Sequence, residues 1–207
     1  MSTSGKTNTD SQAMKRLRSA IVRGPSATLA DVTTPRIDPG NFRQLGPFNW
    51  VFSKGAARVI GVPDAHIFST LGRAKGLFRG WLYFSSRMMP FGRLPRHHSE
   101  MVIIRTAHLR TCQYELDHHK RLGRRAGIDD AEFERILAGP DADWSALEAA
   151  LLRGVDELVA NKDLGDATWK ELASHFDERE LIEFVLLVGQ YDSLATTIGT
   201  LRIQRDF

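Results

Sequence analysis

The chain carries a single cysteine in 207 residues. One thiol cannot form an internal disulfide, so a disulfide-stapled secreted domain is excluded. Long hydrophobic runs are missing as well. No stretch of about 18 apolar residues is free of charge, and no membrane span is expected. The opening MSTSGKTNTDSQAMKRLRSAIVRG has none of the apolar core of a signal peptide. A strong excess of one charge is also lacking: 28 Lys and Arg stand against 25 Asp and Glu, a formal net of +3. A nucleic-acid surface needs a denser basic stripe than the short clusters Lys15-Arg16-Arg18 and Lys120-Arg121-Arg124-Arg125. The second cluster suits a helix C-terminus, where cations favour the macrodipole. Apolar and polar residues nowhere alternate as a half-buried strand requires. These absences leave a cytoplasmic all-α protein, with 42% hydrophobic residues to build its core.

The helices announce themselves by their ends. Residues 1–40 are polar and Ser/Thr-rich, broken at Pro25 and Pro35, and read as an N-terminal arm and linker with a short helix over 14–22. The linker character continues through IDPGNFRQLGPFN, residues 36–48. The helical domain spans 41–207, with a break at Gly61-Val62-Pro63 and Asp64 as the expected N-cap of a helix over 65–71. Leu77–Met89 is a strongly apolar helix stopped by Pro90. Ser99 is expected to cap a helix starting at Glu100, and Thr111 the next one. Asp129-x-x-Glu132, Ser145-x-x-Glu148, Thr168-x-x-Glu171 and Asp177-x-x-Glu180 each match a helix start. The closing helix, about 178–201, is apolar on nearly every side over Leu181–Val188. Such a helix is expected to be buried all round, with a subunit interface completing the burial.

Chemistry concentrates in HHSEMVIIRTAHLRTCQYELDHHK. Cys112, Glu115 and His119 lie three and seven residues apart, which puts them on one helix face. A thiol, a carboxylate and an imidazole are the groups used for nucleophilic attack and proton transfer. Five of the seven histidines fall between 97 and 119. Adjacent residues of a helix point about 100° apart. At most one each of His97-His98 and His118-His119 could therefore serve a metal, and no metal or cofactor is expected. The aromatics Phe78, Trp81, Tyr83 and Phe84 are read as core rather than pocket wall.

Glu100, eleven residues, Cys112, two, Glu115, three, His119, then RLGRRAGI: this spacing resembles the carboxymuconolactone decarboxylase / alkylhydroperoxidase D superfamily. The resemblance covers roughly residues 40–205. One position departs, because Glu115 stands where the peroxidase branch has its second cysteine. A two-cysteine peroxidase cycle is thereby excluded, while Glu115-x-x-x-His119 is similar to the pair of the decarboxylase branch. The resemblance implies an all-α fold assembled as a homo-oligomer, a trimer or hexamer. It also implies a site of Glu100, Cys112, Glu115 and His119 acting on a small-molecule substrate. His119 would be the general acid/base and Glu115 would orient it by direct contact. Glu100 would complete a proton relay, and Cys112 would line the pocket. The expected reaction is decarboxylase- or lyase-type chemistry on a small organic acid or lactone. The alternatives are a single-cysteine peroxidase working through Cys112 and a non-catalytic binding protein.

Overall fold

The structure, a computed structural model, describes residues 34–207. The helix expected over 14–22 and most of the arm lie outside the described residues. Nine α-helices and one 3-10 turn follow one another, and no strand occurs among the described residues. We number them α1 (Phe42–Ile60), α2 (His66–Leu71), α3 (Gly76–Met88), α4 (Arg96–Leu109), α5 (Gln113–Arg125), α6 (Asp130–Ala138), α7 (Ala146–Asn161), α8 (Asp166–His175) and α9 (Glu178–Leu201).

Three helix starts fall where the sequence puts them. The Asp129 carboxylate accepts the Glu132 N–H, and Ser145 and Asp177 head reciprocal capping boxes with Glu148 and Glu180. Four others differ. The linker expected over 36–48 is mostly helix, because Asn41 and Gln44 form a capping box there and Gly46, at φ 75°, takes the kink ahead of Pro47. Ser99 does not cap α4: that helix already starts at Arg96, after Pro95, and the Ser99 hydroxyl donates back to the Pro95 carbonyl. Asp64 gives no cap to α2; its carboxylate is taken by Ser69 and Lys54. Thr168 sits inside α8, donating to Glu157 at 2.7 Å.

α4 is the axis of the domain. It packs against α5, α6, α7 and α9. From Ser99 to Ala107 every one of its residues is buried. Burial on all sides explains a sequence apolar on most of them. Arg105 is one of the helix's buried polar residues, with Ser99, Glu100 and Thr106. Its guanidinium makes a two-point pair with Asp156 of α7 at 2.6 and 2.8 Å and donates to the carbonyls of Ile136 and Leu137 at the end of α6. One side chain thus fastens three helices. Gly154 lets α7 approach α9 closely, since a Cβ there would lie 2.9 Å from the Phe184 ring. Glu183 of α9 clamps the loop before α4 by accepting the N–H groups of Arg93 and Leu94.

Within the single chain the closing helix is buried on one side only. Leu181, Phe184, Leu187 and Val188 are buried, but Ile182, Val185 and Leu186 are exposed in the single chain. α9 is long and apolar enough to cross a bilayer, yet half of its apolar stretch is buried within this fold. We propose that a second copy of the chain covers the exposed face, because an apolar patch of this kind is an aggregation liability in a monomer. Light scattering should give a mass that is a multiple of 23.2 kDa. Ile182→Glu should shift it toward the monomer. A monomeric parent protein at micromolar concentration would contradict the proposal.

Candidate active site

The site is built where α4 and α5 lie side by side. Glu100 comes from the first half of α4 and is fully buried. His119 comes from the second turn of α5, and its Nδ1 meets Glu100 Oε2 at 2.7 Å. The contact the sequence leads one to expect, Glu115 with His119, is replaced by this one. Glu100 reaches the ring from the neighbouring helix. Arg96, one turn before Glu100, brings Nη2 to 2.8 Å from the other carboxylate oxygen. The Tyr191 ring of α9 stands edge-on to His119, with centroids 5.1 Å apart. Three helices therefore fix the orientation of one imidazole. If Nδ1–H donates to Glu100, Nε2 is the nitrogen left for a substrate.

Cys112 and Glu115 form a second pair behind this one. Thr111 does not cap α5. It holds a left-handed φ of 51° in the turn from α4, and Cys112 takes the N-cap position without a side-chain bond. A helix start lowers a thiol pKa only when the thiol can reach solvent and positive charge. Here burial pushes the Cys112 thiol well up, and the negative charge of Glu115 adds to the rise against the nearby backbone N–H groups. Cys112 packs among Ile67, Tyr114, Ala195 and Ile198, and it is not a wall of the cavity. The expectation that it lines the pocket is corrected on that ground. Burial also pushes the Glu115 carboxyl from 4.5 to about 8, opposed by the Cys112 thiol and the charge of Arg110. Neither Glu115 oxygen has a conventional hydrogen-bond partner. At neutral pH it is mostly an acid carrying its proton, which is the form that can donate.

A cavity of about 460 Å³ opens onto Glu115 and His119. Its walls are largely apolar, with Phe52, Phe68, Trp81, Leu187 and Leu194 among them. Trp81 thus forms wall rather than core, Phe78 is core, and Tyr83 and Phe84 are exposed. Gln190 lines the cavity and donates to Ser85, while Asp192 faces elsewhere and pairs with Arg110 and Lys162. Arg121 and Arg125 are exposed lining residues that supply positive charge. The basic cluster they belong to is otherwise spent on Asp130, which pairs with Lys120 and Arg124.

Beside the cavity the chain end is tied in. Asp206 accepts from Tyr114 at 2.6 Å, meets His118 at 3.0 Å and His66 at 2.5 Å, and takes the His66 N–H. Against the cost of burial, these bonds hold its carboxyl well below the usual range. Nothing in the sequence near Asp206 points to this role. Arg96 could have been found, since Arg96-x-x-x-Glu100 has ion-pair spacing on a helix.

The fold is all-α among the described residues, with a buried carboxylate–imidazole contact beside an apolar cavity. Residues 76–154 match the carboxymuconolactone decarboxylase family. This segment, running from α3 into α7, is similar to that family. The chain is similar in structure to an alkylhydroperoxidase AhpD core, a peroxidase-related protein from Ralstonia eutropha, with a TM-score of 0.71 at 17% identity over 83% of this chain and 92% of that one. A peroxidase-related protein from Silicibacter gives 0.69 at 14% identity over 84% and 94%. The debrominase Bmp8 gives 0.67 at 16% over 82% and 91%. No curated protein matches the chain.

The raised Glu115 pKa has a measurable sign. Between about 4.5 and 8 the folded state keeps a proton that the unfolded state has released. Stability contributed by the protonated form is therefore complete below 4.5 and falls as pH rises towards 8. In Glu115→Gln this loss should vanish, so the variant should melt higher than the parent at pH 8 and show no such gain at pH 4. Parallel melting curves for the two proteins across that range would contradict the assignment.

Proposed function

We propose that the chain is an acid–base enzyme acting on a small, mostly apolar organic acid or lactone, by decarboxylation or a related lyase step. The observation that carries the reading is the buried Glu100–His119 contact at 2.7 Å, which directs one imidazole nitrogen at an apolar cavity. Glu115, protonated near neutral pH, is placed on the same cavity wall to hydrogen-bond a carbonyl oxygen as charge develops on it. In a decarboxylation the bond to the carboxylate breaks and carbon dioxide leaves. The electron pair passes into the conjugated carbonyl. His119, protonated from solvent at Nε2, delivers a proton to the carbon and is left neutral. Arg121 and Arg125 would hold a second acidic group of the substrate. Glu100 acts through His119, as a positioning residue. We place this activity in the cytoplasm, in a homo-oligomer.

A small ring compound as ligand is also consistent with a structural neighbour. The debrominase Bmp8 has a structure in complex with 2,3,4-tribromopyrrole, a small apolar ring. The single-cysteine peroxidase reading is disfavoured by the same geometry. The thiolate is the attacking species, and burial keeps Cys112 a thiol.

The test is a turnover panel. The protein is offered carboxymuconolactone and related carboxylated lactones with carbon dioxide release followed, and separately peroxide with a thiol donor. Carbon dioxide release should fall on the order of 10²–10⁴-fold in His119→Ala, the range for losing a general acid or base. It should persist in Cys112→Ser. Peroxide turnover that Cys112→Ser abolishes would overturn the proposal in favour of a peroxidase. Saturable ligand binding with no turnover in either assay would overturn it in favour of a binding protein.

A further inference from the structure

The histidines at the start of α4 belong to no part of the site above. His97 and His98 stand in the first turn of that helix, and Glu148 in the first turn of α7. One ligand-type atom from each of these three side chains lies within 4.8 Å of the other two. Divergence along the helix was expected to keep the two rings from serving together. The first turn of a helix brings them close, with ring centroids 5.8 Å apart at 71°.

Three further features point to an occupant. The Nδ1 of His98 is buried and has no hydrogen-bond partner. A buried imidazole nitrogen without a partner is costly unless something fills it. His97 has its outer nitrogen engaged, with Nε2 at 2.8 Å from Glu132 Oε1 at the start of α6. A carboxylate on one ring nitrogen leaves Nδ1 for a metal and fixes the ring, the arrangement that supports metal-bound histidines. Glu148 is likewise held, because its Oε2 accepts from the Ser145 N–H and hydroxyl while Oε1 stays available.

We propose that His97, His98 and Glu148 bind a divalent transition-metal ion of the zinc class, with Glu132 as the positioning carboxylate. Two imidazoles and a carboxylate are a donor set that zinc accepts, with the fourth position left to water. Bonds of about 2.0–2.1 Å set tetrahedral ligands roughly 3.4 Å apart. The three atoms, now within 4.8 Å of one another, would draw in to that separation around the ion. The ion would join the starts of α4, α6 and α7. Since Arg96 precedes His97 directly, it would also stiffen the turn from which Arg96 reaches Glu100.

The experiment uses the untagged full chain, stripped with a chelator and titrated with Zn²⁺ by calorimetry and with Co²⁺ by visible absorption. One equivalent per chain should bind, with the absorption of tetrahedral Co²⁺, and the melting temperature should rise with metal. His98→Gln and Glu148→Gln should each abolish the stoichiometric Co²⁺ spectrum while keeping the helical circular dichroism. The amide of Glu148→Gln still accepts from Ser145, so that variant isolates ligation from capping. Glu132→Gln should weaken binding on the order of 10–100-fold. His175→Ala, an exposed histidine on α8, should change nothing. Absence of stoichiometric binding, or binding unchanged in both His98→Gln and Glu148→Gln, would overturn the proposal.

Discussion

The contact between Glu100 and His119 is the constraint on which the rest of the site depends. A fully buried carboxylate is expensive unless paired, and a buried pair is favourable only when its geometry is good and its remaining atoms are satisfied. Here one oxygen hydrogen-bonds the imidazole, and the other lies 2.8 Å from Arg96 as an ion pair without hydrogen-bond geometry. That requirement fixes α4 against α5 to within a hydrogen-bond length. α4 is in turn held from behind by Arg105, which reaches Asp156 and the end of α6, and from in front by Glu183, which clamps its approach loop. The polar bonds of the core thus converge on the helix that carries Glu100.

The placement of Glu115 beside the one cysteine has a physical consequence. Glu115 sits against Cys112, and both are buried. A carboxylate and a thiolate side by side would be two negative charges with little compensation, so both groups are driven toward their neutral forms. Burial and the neighbouring carboxyl together keep Cys112 in its thiol form. A carboxyl held in its protonated form beside a buried imidazole is what the proposed proton-transfer chemistry draws on.

Much of this was legible in the sequence, and the failures have a pattern. The all-α class follows from helical periodicity and the absence of strand alternation. The starts at Asp129, Ser145 and Asp177 were readable because a capping box is local, closed within four residues. Ser99, Asp64 and Thr168 have the same local credentials. Each is drawn into a different bond, with Pro95, Lys54 and Ser69, or Glu157, and the last of these partners lies on another helix. Spacing could single out the four candidate residues, yet it could not show which of them would pair. Glu115 and His119 share a helix face, and nothing in one helix shows that Glu100, nineteen residues away, wins the imidazole. Asp206 and Glu183 were invisible for the same reason, since their partners are fixed only by the packing of distant segments.

The account stands on which nitrogen of His119 carries the proton and what holds it there. Nitrogen-15 chemical shifts of the His119 ring measure this directly. The prediction is an Nδ1-protonated neutral tautomer in the parent protein, lost or mixed in Glu100→Gln and unchanged in Glu115→Gln. An Nε2-protonated ring in the parent, or a tautomer that follows Glu115 and ignores Glu100, would contradict it.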